Sequence, residues 1–384
     1  MSRPAPPSPP VSAPVDDPVP GLKALIDARI LAAPDRWLGF EDFMALALYA
    51  PGLGYYAGGD RQFGLTQRDG SDFVTAPEMS PLFARALAVQ LAQALEATGT
   101  TELWEFGAGT GALAAGLLEA LGERLTRYTI VDLSGTLRAR QQATVAARAP
   151  DHLGKLRWVN ELPEAFEGVV VGNEVLDAMP VVLLHFDGGR WFERGVTLAG
   201  GTAGAPYAWA DRPTDLRPPL DAPFVPGTVT ELPRQGSAFI RTLAQRLTRG
   251  AAFFLDYGFP EHEFYLPQRH GGTLMCHRAH VADPDPLVAV GRKDITAHVD
   301  FSAVALAGQD AGLTVLGYAS QGRFLLNCGL GALMATADLP QRAMAQRLVT
   351  EHEMGELFKV IGFVAGAPEF DAVGFTAGDR CHQL

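Results

Sequence analysis

A glycine run between two apolar segments constrains the fold of this chain more than any other feature of its sequence. The segment Glu102–Phe106 has the apolar character of a buried strand, the run Gly107-Ala-Gly-Thr-Gly111 follows directly, and a helical pattern begins at Ala112. Glycine lets the backbone turn tightly and approach a bound molecule without a Cβ clash. The order of strand, glycine turn and helix therefore predicts the first unit of an α/β sheet that binds a nucleotide-like ligand.

Strand and helix patterns alternate along the remainder of the chain. Further short apolar runs predict strands at residues 128–131, 156–159, 169–171, 251–255, 313–319 and 357–364. Uninterrupted apolar strands of this kind belong to parallel sheets that helices cover on both faces, and crossovers between parallel strands are right-handed. The predicted fold class is α/β, with a doubly wound, mostly parallel, Rossmann-like sheet.

The chain divides into three regions by composition. Residues 1–20 are rich in proline and lack periodicity, which predicts a disordered tail. Residues 21–98 carry helical patterns and a long loop at 52–71, and we interpret them as an N-terminal helical and substrate-loop extension. Residues 99–384 are predicted to form the α/β domain, with inserted segments at about 181–235 and 259–300 where glycine, proline and aromatic residues interrupt the alternation.

Charge and composition argue against several classes of protein. The net charge is −12 and lysine and arginine are not clustered, so no nucleic-acid surface is predicted. No apolar run reaches the roughly 20 residues of a membrane-spanning helix, so no membrane insertion is predicted. Cys276, Cys328 and Cys381 lie far apart and cannot form a disulfide framework. Together with the absence of a basic and apolar leader, these features predict a bacterial cytoplasmic protein.

Polar side chains lie where the predicted strands end, which is the edge at which open α/β sheets bind ligands. Glu105 precedes the first glycine closely and suits a ligand with a positively charged amino group, such as S-adenosylmethionine. Asp132 ends the next strand and can accept hydrogen bonds from two ribose hydroxyls. Asn173, Glu174 and Asp177 follow the fourth strand. The glycine run alone also fits a dinucleotide site, so an NAD(P)-dependent oxidoreductase remains an alternative.

The chain also carries a set of short motifs that is specific in combination. Besides the glycine run, these are MALALYAP (44–51), GYY (54–56), GSDFVTAPE (70–78), GNEVLDAMP (172–180), DYG (256–258), DITAHVDF (294–301) and MGELFKV (354–360). Together they resemble the MidA family of class I S-adenosylmethionine-dependent methyltransferases, which includes a mitochondrial complex I assembly arginine methyltransferase and bacterial relatives. The segment at 65–69 looks longer than the corresponding loop of that family.

The resemblance implies a seven-stranded class I methyltransferase sheet and S-adenosyl-L-methionine as the cofactor. It also implies methylation of an arginine in a protein substrate, which in the mitochondrial case is a subunit of the respiratory NADH dehydrogenase. A location in the mitochondrial matrix would apply to this chain only by analogy. The cofactor-binding residues that we predict are Thr75, Glu78, Glu105, Gly107, Gly109, Gly111, Asp132 and Asn173.

Four residues are predicted to act in catalysis. Glu174 and Asp177 would hold the substrate guanidinium, which stays protonated in proteins. His298 would accept a proton and Asp300 would orient it, because an imidazole beside a carboxylate titrates near neutrality. Structural alternatives stay open at this stage: His298 and Asp300 would share one face of a strand in any case, and acids favour helix N-termini.

Three other features leave alternatives open. One cluster has residue types that zinc prefers but matches no short zinc motif, so no metal is predicted. Its members are His270, Cys276, His277 and His280. Tyr55, Tyr56 and Phe63 either line a substrate groove or pack beneath the loop. A non-catalytic assembly factor that retains the fold is a second alternative function, and the insertion at 181–235 is a candidate homodimer surface.

Overall fold

The computed structural model describes residues 17–58, 75–132, 135–278 and 281–384. Most of the predicted tail, the longer loop at 65–69, Phe63 and His280 lie outside these ranges. The first helix begins at Pro20, one residue after Val19, whose amide donates a hydrogen bond to the Val290 carbonyl. The Asp17 carbonyl also accepts a 2.8 Å hydrogen bond from Arg292 Nε, so Asp17 and Val19 contact the second inserted segment.

Helices and strands alternate as the sequence predicts. The helices are α1 (Pro20–Ala32), α2 (Phe40–Tyr49), α3 (Ala76–Met79), α4 (Pro81–Thr98), α5 (Ala112–Leu121), α6 (Gly135–Arg148), α7 (Arg234–Arg246), α8 (Glu261–Phe264), α9 (Phe301–Asp310), α10 (Gln321–Asn327), α11 (Leu330–Thr336) and α12 (Leu339–Val349). The strands are β1 (Leu38–Gly39), β2 (Glu102–Phe106), β3 (Arg127–Val131), β4 (Leu156–Val159), β5 (Phe166–Asn173), β6 (Val182–Phe186), β7 (Trp191–Leu198), β8 (Tyr207–Pro213), β9 (Thr228–Leu232), β10 (Leu247–Phe259), β11 (Met275–Arg278), β12 (Val281–Asp283), β13 (Asp294–Thr296), β14 (Val299–Asp300), β15 (Thr314–Ser320) and β16 (Phe358–Ala365).

The central sheet contains all seven strands that the apolar runs predict, in the order β4-β3-β2-β5-β10-β16-β15. The pairs among the first five strands are parallel, whereas β16 runs antiparallel to both β10 and β15. The short strand β14 adds a parallel pair to the end of β10. The α/β class and the mostly parallel seven-stranded sheet are thus confirmed.

Helices bury both faces of this sheet. Val169 and Val171 of β5 pack into the core that α4 and α5 cover, while Val170 between them packs into the core that α7 and α9 cover. Successive side chains of a strand point to opposite faces of the sheet, so neighbouring residues of β5 enter different cores. Because both faces are buried, the apolar run at residues 169–171 contains no polar residue. The chain leaves β2 toward one edge of the sheet and leaves β5 toward the other, which opens a crevice at their carboxyl ends.

The first inserted segment forms an antiparallel sheet in the order β1-β7-β6-β9, with β8 paired to β7. Strand β1 comes from the N-terminal extension, and α1 and α2 share a core with Leu183 and Val196 of this sheet. Helix α4 packs instead in the central core beside α5, through Leu87 and Leu91. The extension predicted at 21–98 is therefore divided between two cores, because its helices bury their apolar faces on different sheets.

The second inserted segment contributes a three-stranded antiparallel sheet in the order β12-β11-β13. Cys276 of β11 and Ile295 of β13 belong to the same core as α1 and α2. The N-terminal helices and both insertions thus form one layer beside the carboxyl edge of the central sheet. Across the described parts of the chain, no helix combines the length and apolarity needed to cross a membrane.

Candidate active site

A cavity of ≈ 1270 Å³ lies at the carboxyl edge of the central sheet. The ends of β2, β3, β5 and β10 form its floor, and residues of the N-terminal extension and the second insertion form its walls. Pockets for one small ligand usually measure about 300–1,000 Å³. The cavity therefore has room for a nucleoside-sized molecule and for a side chain of a second molecule.

The glycine turn brings backbone, without side chains, to the floor of the cavity. Gly107 and Gly109 line it and have φ values of 65° and 50°, in the left-handed region that favours glycine. A Cβ on Gly107 would lie 2.7 Å from Val175 Cγ2. Gly111 is not among the described residues that line the cavity; a Cβ there would lie 2.9 Å from Gln141 Cα, so it allows α5 and α6 to pack closely.

Gln141 connects the glycine turn to the end of β3. Its Nε2 atom lies 2.8 Å from Asp132 Oδ2 and 3.2 Å from the Gly109 carbonyl oxygen, and its Oε1 atom accepts a 2.7 Å hydrogen bond from Trp158 Nε1. Gln141 is fully buried on α6. Gln141 therefore holds Asp132 at the cavity wall. It was not predicted from the sequence, because a polar residue within a helical pattern is its only signal.

Glu105 is buried at the end of β2, where it lines the cavity. Its Oε2 atom accepts a 2.7 Å hydrogen bond from the Tyr128 hydroxyl. Burial raises the pKa of Glu105 to about 8, against the opposing effect of the Tyr128 hydrogen bond. A positively charged group in the cavity would favour the ionised form of this carboxyl group.

Thr75 and Glu78 also line the cavity, as the resemblance implies. Thr75 is the N-cap of the short helix α3, and Glu78 lies within this helix. The Thr110 hydroxyl, in the glycine turn, donates a hydrogen bond to Glu78 Oε1. This contact joins α3 to the turn and makes it one wall of the cavity.

Asn173, Glu174 and Asp177 lie at the end of β5 and in the loop that follows it, and all three line the cavity. The loop is not a helix, so the helix N-terminus alternative does not apply. Glu174 has a φ of 54°, which is rare for a residue with a side chain. The Asn173 side-chain amide donates a 2.9 Å hydrogen bond to Glu174 Oε1. The loop therefore presents two carboxyl groups in a strained, fixed backbone.

Asp256 at the end of β10 holds this loop in place. Its Oδ2 atom accepts backbone hydrogen bonds from Val175, Leu176 and Asp177, at 3.0, 2.8 and 3.3 Å. Its Oδ1 atom accepts a 3.0 Å hydrogen bond from the Tyr257 amide. Burial and the nearby carboxyl groups raise the pKa of Asp256, whereas these backbone donors favour its charged form.

The carboxyl groups of the cavity influence one another. Burial, followed by repulsion from Asp177, raises the pKa of Glu174 to about 8, and Asp294 adds a further repulsion. Burial raises the pKa of Asp177 to about 6 despite a hydrogen bond with the Tyr257 side chain. Shifts of this size at a cavity are typical of a functional site. A positively charged ligand bound beside these groups would favour their ionised forms.

Aromatic residues form a wall of the cavity beside Asp177 and Asp294. Tyr49 and Tyr56 line the cavity and their rings stack with centroids 5.6 Å apart. The Tyr56 hydroxyl donates a 2.9 Å hydrogen bond to Asp294 Oδ2, and the Tyr49 hydroxyl donates a 2.8 Å hydrogen bond to the Ala178 carbonyl. Tyr55 is buried in the core beneath them. Tyr56 therefore lines the cavity, whereas Tyr55 packs in the core.

His298 lines the cavity, but Asp300 is not among the described residues that do so. Asp300 is fully buried and caps α9, with its Oδ1 atom 3.0 Å from the Ala303 amide. Burial and the charges of Arg269 and Lys359 lower the pKa of His298 to about 4. The predicted pairing of His298 with Asp300 is therefore not observed, because the carboxylate is used as a helix N-cap.

The described members of the zinc-type cluster have different surroundings. Cys276 is buried in a hydrophobic core, whereas His277 lines the cavity. Among the described residues, no group of three or more His, Cys, Asp and Glu side chains is arranged to hold a metal ion.

Three comparisons relate this chain to known proteins. A model of the family described as "Putative S-adenosyl-L-methionine-dependent methyltransferase" matches residues 86–319, more than half of the chain. The crystal structure of a "likely methyl transferase" from Burkholderia thailandensis, bound to S-adenosyl-homocysteine, is 50% identical, with a TM-score of 0.92 over 97% of this chain and 100% of that chain. A native crystal structure of an uncharacterized protein from the same organism is 49% identical, with a TM-score of 0.88 over the same shares.

More distant relatives carry a specific name. The Danio rerio protein named "Protein arginine methyltransferase NDUFAF7, mitochondrial" is 26% identical over 88% of this chain and 85% of its own length. The Homo sapiens protein of the same name is 27% identical over 75% of this chain and 69% of its own length.

The residues of the cavity fit S-adenosylmethionine. Gly107 and Gly109 present backbone at the floor, and Asp132 stands at the end of β3 where a ribose is bound in such folds. The buried Asn173 Oδ1 atom has no hydrogen-bond partner among the described residues, and the ammonium group of the cofactor would supply a donor. The oxidoreductase alternative gains no support from the comparisons. This chain belongs to the MidA family of S-adenosylmethionine-dependent methyltransferases.

Proposed function

We propose that this methyltransferase transfers a methyl group to an arginine side chain of a protein. The observation that carries the proposal is the acidic end of the cavity, where Glu174, Asp177 and Asp294 lie close enough to raise the pKa of Glu174. A guanidinium is a planar cation with five N–H donors, and it matches a set of carboxylate acceptors. The names of the distant relatives, which are protein arginine methyltransferases, support the same substrate class.

The protein substrate that we propose is a subunit of a respiratory NADH dehydrogenase. This choice rests on the family resemblance, in which the mitochondrial member acts on such a subunit. The volume of the cavity supports a protein substrate in one respect, since a side chain can enter from the open side while the cofactor occupies the glycine end.

In the proposed mechanism the chain positions two reactants and receives one proton. S-adenosylmethionine, when bound, supplies a methyl group on a positively charged sulfur, and its C–S bond breaks with the electron pair on sulfur as the new N–C bond forms. Glu174 and Asp177 orient the guanidinium so that one nitrogen faces the methyl group. The buried walls exclude water and strengthen these charge interactions.

We assign the proton acceptor to Glu174 and not to His298. The attacking nitrogen must lose a proton as the methyl group is transferred, since the guanidinium is protonated at neutral pH. General bases work best when their pKa lies near the working pH. Burial and repulsion from Asp177 raise the pKa of Glu174 to about 8, and the positive charges of the two bound reactants would favour its ionised form. The pKa of His298 is lowered to about 4, so His298 is the weaker base. His298 then serves as a neutral wall residue.

The test uses the full-length protein with deuterium-labelled S-adenosylmethionine and a purified candidate subunit of NADH dehydrogenase. Mass spectrometry of the subunit should place the labelled methyl group on arginine. Label on lysine or glutamine alone would contradict the substrate class. A stable complex without any transfer would instead favour the assembly-factor alternative.

Glu174→Gln tests the role of the carboxyl group with little change in shape. We expect methyl transfer to fall by at least about a hundredfold, because the amide cannot accept the proton and no longer carries charge. The affinity for S-adenosyl-homocysteine, measured by calorimetry, should change by less than about threefold. Transfer at the wild-type rate in this variant would contradict the assignment.

A further inference from the structure

Three of the residues on the acceptor side of the cavity come from segments outside the central sheet. Tyr49 and Tyr56 belong to the N-terminal extension, and Asp294 begins β13 in the second insertion. The floor of the donor side, by contrast, comes from β2, β3 and their connections, with α3 as one wall. Elements added to a shared methyltransferase sheet are the ones free to set which substrate is accepted.

Tyr49 offers an aromatic face to the cavity. Its side chain is 44% exposed although it lies at the cavity wall, and its hydroxyl is fixed by the Ala178 carbonyl. The Tyr56 ring stacks on it with an angle of 19° between the planes. Cations bind the faces of tyrosine rings, and the flat guanidinium does so by stacking as well.

Asp294 fixes the second ring and adds charge. It is 3% exposed, and its Oδ2 atom accepts the Tyr56 hydroxyl while its Oδ1 atom accepts the Ile295 amide at 2.9 Å. Burial, followed by repulsion from Asp294 and Asp177, raises the pKa of Tyr49, so both carboxyl groups lie near the tyrosine wall. A ligand cation placed there would offset this repulsion.

Asp177 supplies an unused acceptor beside the wall. It is 6% exposed and lines the cavity, and its Oδ1 atom makes no hydrogen bond to any residue within the described ranges. A buried acceptor of this kind costs free energy unless a ligand or water satisfies it. A guanidinium N–H would do so.

We propose that Tyr49, Tyr56, Asp177 and Asp294 form a subsite that selects a planar, positively charged side chain as the methyl acceptor. The inference rests on the proposed function and deepens it, because it names the residues that distinguish arginine from lysine and from neutral groups. Stacking on Tyr49 favours a planar cation over an ammonium. The carboxyl groups of Asp177 and Asp294 favour a cation over its neutral isostere, citrulline.

The experiment measures binding separately from transfer. The protein is saturated with S-adenosyl-homocysteine, and three matched peptides that differ only in a central arginine, lysine or citrulline are titrated by calorimetry. The wild type should bind the arginine peptide at least about tenfold more tightly than the citrulline peptide. Tyr49→Leu should weaken arginine binding about tenfold, and Tyr49→Phe, which keeps the ring face, should restore most of it. Asp294→Asn should reduce the preference for arginine over citrulline to less than about threefold.

Tyr207→Phe is the matched control, since this tyrosine lies in the same layer but is not among the described residues of the cavity wall. Its peptide affinities should equal those of the wild type, and all variants should keep their affinity for S-adenosyl-homocysteine. Equal binding of the three peptides by the wild type, or unchanged selectivity in Asp294→Asn and Tyr49→Leu, would overturn the subsite. Selective binding without arginine methylation would leave the subsite standing and refute the proposed function. Methylation of arginine, together with unchanged peptide selectivity in Tyr49→Leu and Asp294→Asn, would support the proposed function and refute the subsite.

Discussion

Gln141 joins three parts of the cofactor end of the cavity through one buried amide. It contacts the glycine turn, the side chain of Asp132 and the indole of Trp158, and its position explains why Gly111 cannot carry a side chain. Removing the amide would take away the acceptor of the Trp158 N–H and one hydrogen bond of Asp132. Unsatisfied buried groups cost about 1–3 kcal/mol each.

The variant Gln141→Leu should therefore bind S-adenosyl-homocysteine about tenfold more weakly, because Asp132 loses the hydrogen bond that holds it at the cavity wall. Calorimetric titration measures this change. The neighbouring Gln142 is exposed on the same helix, and Gln142→Leu should bind as the wild type does. Equal weakening in both variants would mean that α6 is perturbed as a whole.

Glu174 combines a functional side chain with an unfavourable backbone. A non-glycine residue in the left-handed region costs of the order of 1 kcal/mol or more, and burial of the carboxyl group adds to this cost. We expect Glu174→Gly to raise the free energy of unfolding by about 1 kcal/mol while methyl transfer is lost. Ala289 also has a positive φ, of 50°, and is not among the described residues that line the cavity. Ala289→Gly should change stability in the same direction and leave transfer intact.

At the scale of elements, the loop from Glu174 to Asp177 depends on a neighbouring strand. Asp256 of β10 accepts three consecutive backbone amides of that loop, so the two adjacent strands fix the carboxyl groups together. The motif DYG was part of the family resemblance, and the structure gives the first residue of the motif a physical role. No local pattern predicts such a contact, because it joins residues about 80 positions apart.

Asp256→Asn should lower kcat by at least about tenfold with a smaller change in the affinity for S-adenosyl-homocysteine, because the amide can accept fewer of the backbone donors. Steady-state kinetics and calorimetry separate the two effects. Asp310→Asn, at the exposed end of α9, serves as the control and should behave as the wild type. A loss of cofactor binding equal to the loss of kcat would show that Asp256 supports the whole crevice and not the loop alone.

Elements were predictable where they depend on local sequence. The seven sheet strands follow from continuous apolar runs, and the glycine turn follows from three alternating glycines between a strand pattern and a helix pattern. Asp300 was predicted to orient His298, but it caps α9 instead. The sequence contains a signal for this role, since an Asp directly before a helical pattern is a favoured N-cap. Tyr49, Asp294 and Gln141 were missed because their roles arise only when distant segments meet.

For the molecule as a whole, buried carboxyl groups make stability depend on pH. The pKa values of Glu105 and Glu174 are raised to about 8, and that of Asp177 to about 6, well above those of an unfolded chain. Between the unfolded and folded values the folded protein binds more protons. The free energy of unfolding therefore falls as pH rises through this window.

Thermal unfolding should accordingly show a lower Tm at pH 8 than at pH 5.5, with a loss of at least about 1 kcal/mol. Glu105→Gln should make this dependence less steep, because its amide does not titrate and can still accept the Tyr128 hydrogen bond. Glu102→Gln, on the same strand but paired with Arg127 at the surface, should leave the slope unchanged. A Tm that rises over this range would contradict the assigned shifts.

The hydrogen bond between Tyr56 and Asp294 joins residues that are 238 positions apart. During synthesis on the ribosome, the glycine turn and the loop after β5 emerge long before Asp294 does. The acceptor wall therefore cannot form until the second insertion has been made. Translation products that stop before Asp294 would consequently lack the wall that we propose selects the substrate side chain.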